Sequence, residues 1–228
     1  MKWLSIAVLV SVGTVVHAAE RDPFEPANRA VFAFNDAVDR VALRPAAKAY
    51  ASLVPGPIRE GVGNVFSNLG EVPTFLNAAL QGKPAEAANA LGRFVFNSTI
   101  GLGGVLDVMT GFGADQTDED FGQTLGVWGV GEGAYVVLPF FGPSTLRDGV
   151  GRFTLDAATD PLNQLSPSDH RVGVVALGLV DKRAEFLGAD GLMQGDRYIA
   201  MRNAWLQNRR FAVADGQDAS ADAFLEGF

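Results

Sequence analysis

Apolar residues recur at helical spacing in several short segments, and glycine or proline separates one segment from the next. The first segment starts at Asn28 and has spacings of three, four and three residues, which would make one side of a helix apolar. Asp36 and Arg40, four residues apart, fall on another side. Pro45 is expected to end or kink this helix, because its ring clashes with the preceding turn. The apolar positions are Val31, Phe34, Val38 and Val41.

Prolines and glycines divide the following residues into further helices. A turn at residues 55–57 precedes an apolar stripe over residues 58–69. Pro73 suits the first turn of a short third helix, which Gly82 closes, and Pro84 opens a fourth helix over residues 84–97. The pattern therefore predicts three separate helices between residues 58 and 97.

Capping signals predict three more helices in the second half of the chain. Thr145 and Asp148 have the spacing of a capping box, and Asp160 marks the end of the helix that they start. The next helix is predicted to be capped by Ser168 or Asp169 and to end at Gly188. The last helix is predicted to be capped by Asp196. No later segment supplies about 18 uninterrupted apolar residues, so no transmembrane helix is expected.

Two glycine-rich apolar stretches, residues 100–113 and 120–151, interrupt the helical pattern. Glycine serves where the backbone needs positive φ or where another group must approach it closely. The second stretch alternates glycine with large apolar side chains and is predicted to line a surface that contacts apolar matter. Its valines allow short strands, although Pro139 rules out a long one. The predicted lining residues are Leu125, Val127, Trp128, Val130, Tyr135, Leu138 and Phe140.

Composition favours a protein that contacts lipid or a large apolar partner over a freely soluble enzyme. Hydrophobic residues make up 48% of the 228 residues, charged residues only 19%, and mean hydropathy is +0.14. The formal net charge of −8 argues against attraction to nucleic acid or to anionic lipid. There is no cysteine, so the fold contains no disulfide.

Segment boundaries follow from composition. Residues 1–18 are predicted to be a secretory signal, with Lys2 before an apolar run and small residues before a cut at Ala19. Residues 19–211 are predicted to form one domain of short amphipathic helices, which is an all-α fold. Residues 212–228 are acidic, contain no base, and are predicted to be a disordered tail.

Known catalytic patterns are absent. His170 is the one histidine after the predicted signal, so neither a zinc site nor a histidine-based triad can be assembled. The glycine pattern at residues 129–134 matches a dinucleotide loop on paper, but Pro139 prevents the long helix that such a loop needs. We therefore expect no enzyme, no metal and no cofactor.

Isolated charges in apolar surroundings leave two interpretations open. Asp107 is expected to pair with an arginine, because an unpaired buried charge is costly. Arg29, Arg147 and Asp148 either cap helices and form ion pairs, or place an arginine at the mouth of an apolar passage, where it would bind a lipid phosphate.

Three separated motifs resemble the MlaA (VacJ) family of bacterial outer-membrane proteins that move misplaced phospholipid. They are D-P-F-E-P-A-N-R-A-V-F-A-F-N at residues 22–35, D-F-G-Q-T-L-G at 120–126, and L-P-F-F-G-P-S-T-L-R-D-G-V-G at 138–151. The polar positions carried over by the resemblance are Asp22, Glu25, Asn28, Arg29, Gln123, Ser144, Arg147 and Asp148.

This resemblance implies a ring of helices around a central amphipathic channel, on the periplasmic side of the outer membrane. It implies phospholipid, an outer-membrane porin trimer and a periplasmic lipid-carrier protein as partners, and no chemistry on the lipid. The sequence departs from the family in having no cysteine for lipidation, so its own helices or a partner would hold it to the membrane. The alternative is a soluble periplasmic scaffold or membrane-interaction protein without a lipid passage.

Overall fold

The computed structural model describes residues 22–189 and 195–216. The predicted signal at residues 1–18 lies outside this range, as do residues 217–228 of the predicted tail. The first two residues of that predicted disordered tail, Ala212 and Val213, are instead the end of the last helix. Ten α-helices and two strands are formed by the described residues: α1 Glu25–Val38, α2 Arg44–Leu53, α3 Gly56–Leu80, α4 Pro84–Thr99, α5 Val108–Gly111, α6 Phe121–Val127, β1 Tyr135–Leu138, β2 Gly142–Thr145, α7 Leu146–Gly151, α8 Ala157–Thr159, α9 Ser168–Glu185 and α10 Arg197–Val213.

Pro45 does not end the first helix. A π-helical turn over Asp39–Leu43 joins α1 directly to α2. In this turn the N–H of Arg44 donates to the carbonyl of Asp39, five residues earlier. The wider turn makes room for a proline, whose ring would clash with the carbonyl of Val41 in a regular α-helix.

Pro73 lies inside α3, so the prediction of two helices between residues 58 and 82 is wrong. α3 is one helix of 25 residues. Buried polar side chains on either side of the proline make contacts with other elements, among them Glu71 with Arg93 and Asn77 with Thr124. Asn77 Nδ2 also donates to the carbonyl of Pro73 at 3.0 Å. Tertiary contacts along the whole helix therefore outweigh the local preference of proline.

The helical starts in the second half follow the capping signals with one exception. Thr145 accepts a hydrogen bond from the N–H of Asp148, and Asp196 accepts from the N–H groups of Tyr198 and Ile199, so both caps are confirmed. α9 starts at Ser168 with Pro167 in the cap position and no side-chain cap. Ser168 and Asp169 thus lie inside the helix, and the predicted cap there is wrong by one residue.

The valine-rich stretch forms a small antiparallel hairpin. β1 and β2 pair from Tyr135 opposite Thr145 to Leu138 opposite Gly142. Phe140 and Gly142 have φ values of +66° and +80°, which the tight turn requires. The strands are short, as Pro139 predicts, and the fold is otherwise helical.

Contacts between elements close into a cycle. α1 packs on β1, β2 on α7, α7 on α6, α6 on α3, α3 on α9, and α9 on α2, which continues back into α1. A second contact joins β2 to α10. The described helices thus form a single all-α domain. None of them is both long enough and apolar enough to cross a membrane.

Candidate functional site

The described part of the chain has a polar interior. Sixteen polar or charged residues are buried, against eight hydrophobic ones, of which four are alanines. Most soluble proteins bury leucine, isoleucine, valine and phenylalanine instead. Here the larger buried side chains include Arg93, Glu71, Asn77 and Thr124. The helices are therefore held together largely by hydrogen bonds and ion pairs.

The outer surface is correspondingly apolar. Thirty large hydrophobic side chains are exposed in the described ranges, which is far more than scattered surface residues of a water-soluble domain would explain. One apolar patch covers the outer side of α4 and the loop that follows it. Phe112, at 83% exposure, is its most open member. The patch consists of Leu91, Val95, Phe96, Ile100, Leu102, Val105, Leu106 and Phe112.

Beneath this patch lies a buried ion network. Arg93 Nε lies 2.5 Å from Glu71 Oε1, and Arg93 Nη2 lies 2.9 Å from Asp107 Oδ2. Asn97 Nδ2 donates to Asp107 Oδ1 at 3.0 Å. The predicted pairing of Asp107 with an arginine is confirmed. Burial raises the pKa of Asp107, but hydrogen bonds from Thr110 and Arg93 outweigh it and bring the pKa to about 2.

The N-terminal motif holds the hairpin through two asparagines. Asn28 donates to the carbonyl of Tyr135 at 3.0 Å and accepts from the N–H of Val137 at 2.8 Å. Asn35 donates to the carbonyl of Leu138 at 3.0 Å and accepts from the N–H of Phe140 at 2.8 Å. Each asparagine thus pairs with β1 as a neighbouring strand would.

Charged residues of the same motif connect α1 to α10. Asp22 accepts hydrogen bonds from Asn28 and from the hydroxyl of Tyr198. Arg29 pairs with Glu25 at 2.8 Å and with the helix cap Asp196 at 2.9 Å. Of the two interpretations of Arg29, these contacts correspond to the ion pair.

The second and third motifs meet around Arg209. Arg209 pairs with Asp120, the cap of α6, and with Asp148, the capping-box residue of α7. Burial raises the pKa of Asp120, but the hydrogen bond from Arg209 outweighs it and lowers the pKa below its usual value. The backbones approach so closely that a Cβ on Gly151 would lie 2.5 Å from the amide nitrogen of Gly122. Here the missing side chain of glycine allows two segments of the protein backbone to pack closely against each other.

The other polar motif residues are also buried among protein groups. Arg147, 8% exposed, has its Nε 3.0 Å from Asp148 Oδ1. Gln123 Nε2 donates to the carbonyl of Asp118 at 2.9 Å. Ser144 donates to the carbonyl of Thr145 at 3.2 Å. The structure therefore places Arg147 in a buried ion pair, which is one of the two interpretations left open by the sequence.

The predicted lining residues fall into three groups. Val127, Trp128, Val130 and Phe140 are exposed, whereas Leu125 and Leu138 are half-buried. Tyr135 lies in a small aromatic core with Val137, Tyr198 and Leu206. Only the first group forms part of the open apolar surface.

Sequence reasoning missed the buried polar side chains of α3. Asn68, Glu71, Thr74 and Asn77 recur every third residue and are all buried. This polar stripe at helical spacing, between apolar neighbours, is a signal for a helix with its polar side inward. The prediction considered only apolar stripes and so could not find it.

Two cavities lie near the hairpin. The larger, of about 330 Å³, has mainly apolar walls, with Arg183 and Arg197 paired to Asp39 and Asp36 at its polar side. Its apolar walls come from Phe32, Val137, Pro143, Phe186 and Met201. The smaller, of about 250 Å³, is lined by Asp22, Glu132, Gly133, Ala134, Tyr135, Arg202 and Leu206. Within the described ranges, no group of three histidine, cysteine, aspartate or glutamate residues is placed to hold a metal.

An all-α domain with polar contacts inside and apolar side chains outside defines a class of protein suited to contact with lipid. The sequence matches the profile of the MlaA lipoprotein family over residues 20–212. The chain therefore belongs to the MlaA lipoprotein family.

Relatives and a solved structure agree with this assignment. The chain is 38% identical over 203 residues to the intermembrane phospholipid transport system lipoprotein MlaA of Escherichia coli (strain K12), covering 86% of this chain and 80% of that protein. The protein of the same name from Haemophilus influenzae is 36% identical over 201 residues, with the same coverage. A solved structure from work on the structural basis for maintenance of bacterial outer membrane lipid asymmetry has a TM-score of 0.75 and 37% identity, and covers 85% of this chain and 99% of that one.

Proposed function

We propose that this protein transports phospholipid at the outer membrane. It takes phospholipid that has strayed into the outer leaflet and passes it to a periplasmic carrier protein, which maintains the lipid asymmetry of that membrane. The observation that carries this proposal is the inverted distribution of side chains, polar inside and apolar outside. The names of its relatives, which belong to an intermembrane phospholipid transport system, support it.

The apolar surface would hold the protein in the periplasmic leaflet. Burying one phenylalanine or leucine side chain contributes about 1.5–3 kcal/mol, so a few members of the α4 patch suffice for firm association. The relatives are named lipoproteins, and the 228 residues contain no cysteine. Attraction by net charge is not needed, and a net charge of −8 would not provide it.

The lipid would move along the exposed part of the glycine-rich stretch. Val127, Trp128, Val130 and Phe140 offer apolar contacts there, next to the half-buried Leu125 and Leu138. The 330 Å³ cavity, with apolar walls and two arginines at its polar side, could shelter part of an acyl chain. Each sheltered CH₂ contributes about 0.8 kcal/mol, so partial shelter keeps the lipid mobile. No bond of the lipid is made or broken, and a porin trimer is the expected membrane partner.

The decisive test measures phospholipid on the cell surface. Cells that lack this protein should expose more phosphatidylethanolamine to a membrane-impermeant amine reagent, and the wild-type chain should restore the normal level. Trp128→Asp should fold but fail to restore it, while the matched surface change Gln207→Asp should succeed. Unchanged surface lipid in cells without the protein would refute the transport role.

Fractionation tests the alternative of a soluble scaffold. An embedded protein should leave isolated outer membranes only with detergent. A scaffold bound by charge should wash off at high salt, because salt screens exposed charges. Mass spectrometry of lipid that copurifies in mild detergent gives an independent measure of lipid binding.

A further inference from the structure

The helix that begins at Leu146 has an apolar side that faces outward. α7 continues through a π-helical turn, Arg152–Asp156, directly into α8. Leu146, Val150 and Phe153 recur at spacings of four and three residues, which puts them on one side of this helix. All three are more than half exposed, as is Phe141 of the hairpin turn. We call these four residues the α7 patch.

The opposite side of this helix is polar and packs on α6. Arg147 and Asp148, which pair with each other at 3.0 Å, are both buried. Gly151 lies against the backbone of Gly122 in α6. A helix on a water-soluble domain has the reverse arrangement, with its apolar side inward. The outward apolar side of α7 therefore suits an apolar environment and not water.

An exposed arginine stands at the edge of the α7 patch. The guanidinium carbon of Arg152 lies 5.6 Å from the centre of the Phe141 ring, which is within cation–π range. The Phe141 ring in turn packs edge-on against Phe153, with 5.5 Å between the ring centres. Within residues 22–189 and 195–216, Arg152 has no hydrogen-bond or ion-pair partner. Its charge is thus held beside apolar rings and is not neutralised by a contact.

The carboxylates nearest to Arg152 have closer partners of their own. Asp120 pairs with Arg209. Asp156 accepts a hydrogen bond from the N–H of Phe121 at 2.9 Å. Both carboxylates interact with Arg152 only through longer-range charge attraction. The guanidinium therefore keeps its donors for a group outside the protein, and its planar fork matches two oxygens of a phosphate.

We propose that Arg152 binds the phosphate of a phospholipid headgroup at the membrane surface, while the α7 patch enters the adjoining acyl-chain region. A helix that lies in the membrane interface has apolar and aromatic side chains in the lipid, and its basic side chains reach up to the headgroups. The α4 patch lacks the second feature. Arg93 is the one base of α4 and residues 100–113, and it is buried. The α7 patch therefore contacts headgroups, whereas the α4 patch contacts acyl chains alone.

The test compares two lipids that differ in the headgroup phosphate. The full chain, purified in mild detergent, is mixed with vesicles of dioleoyl phosphatidylcholine or of dioleoyl digalactosylglycerol, which carries sugars and no phosphate. Flotation measures binding. The expected result is tighter binding to the phospholipid vesicles, by about threefold to fivefold, which is the effect of one exposed charge pair.

Arg152→Gln removes the charge and should abolish this preference. Binding to phosphatidylcholine should fall to the level of the galactolipid, and binding to the galactolipid should stay the same. The Tm should not change, because Arg152 has no partner to lose in the described part of the chain.

Lys48→Gln is the matched control. Lys48 is an exposed base of α2, outside the α7 patch, and its loss changes the net charge by the same amount. It should leave binding to both lipids unchanged. Equal losses in Lys48→Gln and Arg152→Gln, or wild-type binding in Arg152→Gln, would overturn the proposal.

Phe153→Ser tests the apolar part of the surface. It should weaken binding to both lipids about tenfold, because the apolar side chain contacts acyl chains in either vesicle. A photo-crosslinking amino acid at position 153, introduced in cells, should attach to phospholipid. Attachment to another protein, with vesicle binding unaffected by Phe153→Ser, would overturn the proposal and make this surface a protein interface.

The proposal rests on the part of the proposed function that places the protein in the periplasmic leaflet, and it does not depend on transport. Equal binding of the wild type to the two lipids would overturn the headgroup site and leave the membrane location intact. No binding to either lipid would overturn both. The cell-surface assay tests transport separately, since a protein that binds phosphate through Arg152 can still fail to restore the surface lipid.

Discussion

Two regions of the molecule differ in whether they bury large apolar side chains. The α3–α4 unit, which comprises α3, α4 and residues 100–113, buries Asn68, Glu71, Arg93 and Asn97. Among its leucines and phenylalanines, Leu80, Leu91, Phe96, Leu102, Leu106 and Phe112 are exposed, and the others are half-buried.

The hairpin unit, which comprises α1, β1, β2 and α10, buries Tyr135, Val137, Tyr198 and Leu206. It also buries Asn28, Ser144, Thr145 and Arg202 and exposes Phe34, Ile199 and Phe211. Its surface carries ion pairs such as Arg29 with Asp196.

Under the proposed function, this difference would match two surroundings, lipid for the α3–α4 unit and water for the hairpin unit. In water, burying apolar side chains drives helices together. Lipid tails are as apolar as leucine, so helices in lipid need polar contacts and close packing between them. The α3–α4 unit follows the second rule and the hairpin unit follows the first. The boundary between membrane and water is therefore expected to lie between these two units.

Among the variants that test this comparison, Arg93→Leu is expected to lower the free energy of unfolding most. Removal of the arginine leaves Glu71, which is 1% exposed, without its ion-pair partner and takes one partner from Asp107. Breaking a buried pair in this way costs about 3–5 kcal/mol. Chemical unfolding in mild detergent should show this loss or a failure to fold.

The matched control is Arg40→Ala, which breaks an exposed ion pair between the π-helical turn and α1 of the hairpin unit. Arg40 pairs with Asp36 at 3.1 Å, and its side chain is 61% exposed. Such pairs contribute about 0–1 kcal/mol. Equal losses in the two variants would remove the distinction between the units.

A somewhat smaller effect is expected from Asn28→Ala in the hairpin unit. It would leave the carbonyl of Tyr135 and the N–H of Val137 without their side-chain partner. We expect a loss of about 2–3 kcal/mol, since each unsatisfied buried group costs about 1–3 kcal/mol. Chemical unfolding measures the loss, and hydrogen exchange at Val137 should increase.

Asn35→Ala should cost less than Asn28→Ala. Asn35 makes the same pair of bonds to β1, but its partner at Phe140 lies in an exposed turn. Water can replace the asparagine there. The reverse order of stability would show that the turn, and not the buried strand, holds the hairpin to α1.

The sequence correctly predicted the helices that begin with a capping residue. Thr145 and Asp196 cap the helices that they were expected to cap, and the short hairpin lies where valines meet Pro139. Prediction from the sequence failed where the structure depends on contacts between residues that are far apart in the chain. Pro73 stays helical because buried polar groups on both sides of it bind other elements, and no local pattern reveals those partners.

The candidate site was predictable only in part. The exposed residues Val127, Trp128 and Phe140 follow from apolar residues among glycines. The sequence could not tell which glycines face open space and which face protein. Gly129 has nothing near its Cβ position, whereas Gly122 is packed against Asp148 and Arg209. That choice depends on how the three motifs meet in space.

Phe112→Ser tests the outside of the α3–α4 unit. Phe112 is 83% exposed, so the free energy of unfolding in detergent should change by less than about 0.5 kcal/mol. The substitution removes the free energy of transferring this side chain from water into lipid, which is about 1.5–3 kcal/mol for a complete phenylalanine. Binding to phosphatidylcholine vesicles, measured by flotation, should therefore fall about tenfold.

The control for Phe112→Ser is Gln207→Ser on α10, an exposed polar position of the hairpin unit. It should change neither stability nor vesicle binding. Vesicle binding that is unaffected by Phe112→Ser would place the α4 patch in water and reverse the comparison between the two units.

Titration of Asp107 tests the α3–α4 unit by pH instead of by the loss of a side chain. Burial raises its pKa, but hydrogen bonds from Thr110 and Arg93 bring the pKa to about 2, below the ordinary 3.8. A carboxyl with a lowered pKa stabilises the folded chain above its unfolded pKa, and this contribution is lost as the pH falls from about 4 towards 2. The free energy of unfolding should decline over that window, and Asp107→Asn should flatten the decline. An unchanged slope in Asp107→Asn would mean that other carboxyls cause the acid sensitivity.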